Sequence, residues 1–255
     1  MTKNLPARLD PDAILEAVVE VRFDCSDLPE VVVGRLMDNA SWAEYAQTRM
    51  PMADIPQPIR DSDESLRFQP TIELRSPDGL RAVKIGGRVM SYHVLTRYPG
   101  WSVFQVEIQS AIEFILARLR GVSFSRIGLR YINAFVPQKH KIEHLSDTNL
   151  SVMLNGHEIT ESLNLNYNKK LDNHNVTNRI ATADILVGSI FPEASLLVDV
   201  DVTTPPEFRS HELMQTMFWI NRAHELEKSE FFALLPQSLI DSLRASDSDQ
   251  ESIPQ

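Results

Sequence analysis

The chain has 255 residues, 43% of them hydrophobic and 24% charged, enough for one large domain or two closely packed smaller ones with a sizeable core. Its formal net charge is −10, from 25 Lys and Arg against 35 Asp and Glu, so nucleic acid, whose phosphates such a surface repels, is not an expected partner. Cys25 is the only cysteine, the first residues lack the apolar run of a signal peptide, and no stretch approaches the roughly 20 apolar residues of a membrane helix. These features lead us to expect a cytoplasmic protein with no internal disulfide and no membrane segment.

The first predicted element is a strand over Ile14–Asp24, with Val19, Val21 and Phe23 on one face and Glu20 and Arg22 on the other. A helix is expected from Leu28 to Gln47, with a loose apolar stripe through Val32, Leu36 and Ala40. Pro51–Asp63, rich in proline and charge, reads as an extended surface connection. A meander follows: strands at Leu66–Arg75, Leu80–Ile85 and Arg88–Thr96, with turns at Pro77-Asp78-Gly79 and Gly86-Gly87. Ser102 and Gln105 have the spacing of a capping box before a helix over 102–120 that buries Phe104, Ile108, Ala111, Ile112, Ile115 and Leu119.

The stretch Arg126–Phe135 alternates most clearly. Ile127, Leu129, Tyr131 and Phe135 point one way, and Arg126, Gly128 and Arg130 the other. After a polar segment, Pro137–Gly156, with room for a short helix, Ile159–Asn168 alternates again. Strands are expected at Thr177–Val187 and Ser195–Thr203, and a helix over 210–228 capped by Ser210, with His224 on its apolar stripe. The fold class is therefore α+β: a mostly antiparallel sheet with long amphipathic helices on one face. The order strand, variable segment, three strands, long helix occurs twice. This suggests an internal duplication, with one half at 1–120, a second at 121–235, and a short amphipathic piece and acidic tail at 236–255.

Several residue groups could carry chemistry. His140-x-x-Glu143-His144 matches an inverted zinc-protease pattern. On a helix the two histidines would share a face as zinc ligands and Glu143 would act as general base. The segment is polar and follows Pro137, so a solvated connector is the simpler reading. Asp199 and Asp201 occupy successive outward positions of one strand, about 7 Å apart. They could hold a metal, but a cross-strand ladder with Arg126, Arg130, Glu20 and Arg22 is the favoured explanation. Cys25 lies near Asp24 and Asp27, whose charges disfavour a thiolate nucleophile. No phosphate-binding glycine loop, serine-nucleophile elbow or zinc-finger spacing occurs, and no cofactor is expected.

The segments Leu15–Phe23, Arg126–Asn133 and Asn221–His224 together resemble a sporadically distributed family of uncharacterised bacterial proteins of similar length. The likeness spans nearly the whole chain and implies no reaction, cofactor or catalytic residue. Its patchy distribution is that of mobile accessory genes, such as defence or toxin–antitoxin loci. The expected function is a non-enzymatic protein that binds another protein or a second copy of itself through the charged sheet face formed by Glu20, Arg22, Arg126, Arg130, Asp199 and Asp201. The alternatives are a zinc-dependent hydrolase built on His140, Glu143 and His144, and a sensor of a small anionic ligand using the paired arginines.

Overall fold

In a computed structural model that describes residues 5–160, 162–182 and 193–244, the elements run as follows. Strand β1 (Ile14–Asp24) leads to helix α1 (Pro29–Met37), strand β2 (Ala46–Arg49) and short helices α2 (Gln57–Ser62) and α3 (Glu64–Arg67). The meander β3 (Ile72–Arg75), β4 (Arg81–Ile85) and β5 (Val89–Leu95) precedes helix α4 (Trp101–Arg118). Strand β6 (Ser123–Phe135) is followed by α5 (Pro137–His140) and a two-stranded hairpin, β7 (Met153–Leu154) and β8 (His157–Glu158). Strands β9 (Asn164–Leu171), β10 (His174–Thr182) and β11 (Leu196–Thr203) then lead to α6 (Leu213–Ala233) and α7 (Gln237–Ser242).

Nine of the described strands form one antiparallel sheet in the order β2-β3-β4-β5-β1-β6-β11-β10-β9. Its centre is the long pairing of β1 with β6, where Glu20 lies opposite Gly128 and Arg22 opposite Arg126. Alternation decides which side chains are buried. Val19, Val21 and Phe23 of β1, Ile127, Leu129 and Tyr131 of β6, and Val198, Val200 and Val202 of β11 all enter the core. Helix α4 packs on β5, α6 on β6 and β11, and α1 on β4. Helix α4 buries Phe104, Ile108, Ala111, Ile112 and Ile115, the stripe its spacing predicts. No described helix is long and apolar enough to cross a membrane.

Several expected boundaries are corrected. The helix expected to reach Gln47 ends at Met37. The Asn39 side chain accepts from the Ser41 amide at 2.9 Å and starts a 3-10 turn, Ala40–Trp42, whose Trp42 is buried against Phe114. The chain then enters β2 instead of continuing the helix. Pro51–Asp63 is not extended: it holds a 3-10 turn and α2, with prolines in first-turn positions where a missing N–H costs nothing. The strand expected from Leu66 begins only at Ile72, because Asp63 accepts from the Ser65 amide and caps α3.

Helix α4 starts at Trp101 after Gly100, whose φ is 93°, and has no side-chain cap; Gln105 instead donates to Asn221 Oδ1 of α6 at 2.7 Å. Ser210 does not cap α6 but hydrogen-bonds the Thr216 hydroxyl at 2.9 Å. Gly86 and Gly87 are required by close approach: added Cβ atoms would lie 2.6 Å from the Gln69 carbonyl oxygen and 2.5 Å from Pro29 Cβ. The last five residues expected in the Thr177–Val187 strand, and the acidic tail beyond Arg244, lie outside the described residues.

Candidate functional site

The sheet face turned away from α1, α4 and α6 gathers all six charged residues singled out from the sequence. Glu20 and Arg22 come from β1, Arg126 and Arg130 from β6, and Asp199 and Asp201 from β11. Of the described elements, the α2–α3 segment reaches the Arg22 end of their row, where Phe68 lies over the Arg22 guanidinium. Their side chains are 31% (Arg22), 30% (Glu20), 31% (Arg126) and 41% (Arg130) exposed, whereas Asp199 at the row's centre is only 4% exposed.

Two ionic groups form on this face. In the first, Arg130 donates twice to Asp199, from Nε at 2.7 Å and Nη2 at 2.6 Å. Arg130 stands directly opposite Asp201 in register but reaches diagonally, one row along, to Asp199. Arg179 of β10, which faces Asp199 in register, adds a third contact at 3.0 Å and comes within 4.0 Å of Asp201. The Asp199 hydrogen bonds hold Arg130 in its charged form. Asp201 keeps the looser contacts, and burial raises its carboxyl above the ordinary range. Two arginines thus face two carboxylates, and Asp201 also acts through its charge on Arg126 of the neighbouring group.

In the second group, Arg22 Nε and Arg126 Nη1 both donate to one oxygen, Glu20 Oε1, at 2.9 and 2.8 Å. Burial and the neighbouring Arg22 charge lower the Arg126 pKa, only partly offset by Glu20. The Arg22 guanidinium lies 5.0 Å from the centre of the Phe68 ring, and Arg67 lies 5.6 Å from it on α3 while pairing with Asp24. Gly128, between the two arginines of β6, leaves their shared face without a Cβ; one added there would lie 3.4 Å from Arg126 Nη1.

The second group opens on a cleft of about 620 Å³ between the α2–α3 segment and the chain that leaves β11. Arg22, Ser125, Arg126 and Thr203 line its sheet side, Arg67 and Phe68 one wall, and Arg209 the other. Among the described residues Arg209 donates only to the Pro206 and Phe208 carbonyls. Arg179, Arg67 and Arg209 escaped sequence reasoning. Arg179 had a signal, since Asn175, Thr177 and Arg179 alternate outward along β10. Arg67 and Arg209 had none, because their positions depend on how loops fold over the sheet.

The zinc pattern does not assemble. Helix α5 ends at His140, and Lys141 takes a left-handed conformation with φ 58°, so His140 and His144 share no helical face. His140 is buried and its Nδ1 accepts the Val136 amide at 2.9 Å. His144 starts the next turn with Asp147, and Glu143 is exposed. Among the described residues no group of three or more His, Cys, Asp or Glu is placed to hold a metal ion. At Cys25 the surroundings also differ from expectation: Asp27 turns to Arg35 and Arg120, and Arg88 Nη1 lies 2.8 Å from the thiol sulfur.

A further titratable cluster lies behind the sheet, around a cavity of about 40 Å³ under residues 7–14. The Tyr98 and Tyr131 hydroxyls are 2.8 Å apart, and His224 Nδ1 is 3.5 Å from the Tyr131 oxygen. The His224 ring stacks on Trp101 with centroids 3.9 Å apart. Burial pushes His224 down to about 3, Glu227 up to about 8 and Asp12 up to about 6. The cavity suits one or two waters, and burial keeps Glu227 protonated and His224 neutral at neutral pH.

No protein-family model matches the chain, and no curated protein matches it at a significant level.

Proposed function

We propose that this chain is a non-enzymatic binding protein that recognises another protein through the charged face of its sheet. The observation that carries the reading is the row of ions from β1, β6, β11 and β10, its arginines and Glu20 partly exposed around the buried Asp199 carboxylate, on the sheet face opposite the core helices. A face that carries both signs at fixed spacing favours a partner of complementary charge pattern and repels mismatched ones. The strand order adds a second strand of support. Outward from the central β1–β6 pair it reads β5, β4, β3, β2 on one side and β11, β10, β9 on the other, alike over the first three strands. Such an order, apart from the extra edge strand β2, supports reading the chain as two duplicated halves joined edge to edge, with the face continuous across both.

The test is affinity capture from the native host with wild-type protein and with Val18→Glu and Thr177→Glu, which alter the face without removing an ion-pair member. Phe218→Ser, on the helix side where Phe218 is 76% exposed, is the control. We expect one partner to be retained by wild type and the control and lost from both face variants, with melting temperatures unchanged. Loss from the control alone would overturn the reading.

A further inference from the structure

We infer that the Arg22–Arg126 end of this face is a binding subsite for a phosphate monoester group. The inference rests on the reading of the face as a recognition surface and supplies the chemistry of one part of the partner. The argument begins with counter-charge. Arg130 and Arg179 share two carboxylates, and Asp199 accepts three guanidinium hydrogen bonds. Arg22 and Arg126 share a single carboxylate oxygen, each spending one nitrogen on it, and neither guanidinium makes another hydrogen bond among the described residues. Most of both guanidinium forks is therefore unspent: Asp201 acts on Arg126 through its charge but accepts no hydrogen bond from it, and the four arginines of the row face three carboxylates, Glu20, Asp199 and Asp201.

The Arg126 charge is partly desolvated, as its lowered pKa reflects, so an incoming anion is screened less there than at an open surface. The cleft in front of the pair has the volume of a small-ligand site. Its sheet side offers the Thr203 hydroxyl, which has no hydrogen-bond partner among the described residues, and Arg209 stands on the far wall without a carboxylate. Asp24, Asp61 and Glu64 line the cleft too, all three exposed, with Asp24 spent on Arg67. They disfavour a diffuse polyanion such as nucleic acid and leave a compact, doubly charged oxyanion that two guanidinium forks can grip bidentately. A phosphate monoester meets that description, whether as a phosphorylated small molecule or as a phosphorylated side chain of the protein partner.

The experiment is calorimetric titration of the full chain at constant ionic strength with three probes: inorganic phosphate, glycerol phosphate and a phosphoserine peptide. Wild type is expected to bind at least one saturably. Arg126→Gln and Arg22→Gln should each weaken binding tenfold or more, and Arg130→Gln should change it less than twofold. Thr203→Asp supplies the missing carboxylate from a half-exposed position and should abolish binding in a protein whose melting temperature is unchanged. That variant keeps the test decisive if the arginine variants fold poorly. Tighter binding of the peptide than of glycerol phosphate would assign the site to a protein-borne phosphate, and the reverse to a small molecule. No saturable binding by wild type, or equal loss in Arg130→Gln, would overturn the oxyanion site. If partner capture remained sensitive to Val18→Glu in that event, the broader reading of the face would stand without it.

Discussion

Two pairs of arginines on one sheet face meet different fates. At Arg130 and Arg179 the neighbouring strand β11 presents Asp199 and Asp201 at successive outward positions, and the charges close on themselves. At Arg22 and Arg126 the neighbouring strand β1 presents Glu20 and then Arg22, an acid followed by a base. The alternation of the strands is the same. A single sign change at one outward position separates a self-satisfied ladder from a site that still has hydrogen-bond donors to offer. A row of charges on a sheet is therefore not one feature. Its sign pattern along each strand decides which part serves the fold and which part is available to a ligand.

The largest test of this distinction is Asp199→Ala. It strips the acceptor from three guanidinium hydrogen bonds around a carboxylate that is only 4% exposed. Because Arg130 and Arg179 stay in partial contact with water, the loss should fall below that of a fully buried pair, at about 2–3 kcal/mol by urea denaturation. Asp199→Asn should in addition create a second open arginine pair, detectable as new phosphate binding that Arg130→Gln removes. If Asp199→Ala costs no more than Glu20→Ala, the two groups do not differ energetically.

Acid and base titration can probe the same comparison only once the interior is accounted for, and there Glu227 dominates. Its carboxyl is pushed from 4.5 to about 8, so the folded protein holds a proton that the unfolded chain has released. Its contribution is therefore greatest below pH 4.5 and declines as pH rises to about 8. His224 has the opposite sense: lowered from 6.5 to about 3, it costs stability as pH falls below 6.5. Between pH 6.5 and 8 Glu227 acts without His224, and stability should drop by about 2 kcal/mol over that interval. In Glu227→Gln the drop should disappear. A wild-type profile flat from pH 6.5 to 8 would show that the carboxyl finds a partner when ionised.

What the sequence disclosed follows physical range. Strict alternation in Ile14–Asp24, Arg126–Phe135 and Ser195–Thr203 showed which side chains share a face of each strand; that Glu20, Arg22, Arg126, Arg130, Asp199 and Asp201 meet depends on the strand order β1-β6-β11, which alternation does not set. Period-2 patterning is local and survives in any register. The partner within each ladder was not legible. Arg130 chooses Asp199 over the directly opposite Asp201, a matter of strand twist and side-chain reach. The cleft was illegible for a different reason: Arg67, Phe68 and Arg209 reach it from separate segments that no periodicity links. The Leu28–Gln47 helix failed because one Asn39 side-chain hydrogen bond outweighed a weak apolar stripe. His140-x-x-Glu143-His144 failed because Lys141 turns the chain after a helix too short to hold both histidines.

The smallest effect is the sharpest probe of the open pair. Glu20 is 30% exposed and both of its arginines are 31% exposed, so Glu20→Gln should cost less than about 1 kcal/mol of stability. Its effect on binding should go the other way. Glu20 competes with an incoming oxyanion for the same guanidinium groups, and removing its charge leaves both forks free. Phosphate affinity should then rise about threefold to tenfold, with a steeper dependence on salt because one more positive charge is uncompensated. The opposite outcome is equally informative. Weaker binding in Glu20→Gln would mean that the carboxylate holds Arg22 and Arg126 in place for the ligand instead of occupying them. Glu20 would then belong to the site as its organiser, and the contrast with Asp199 would be one of geometry, not of charge count.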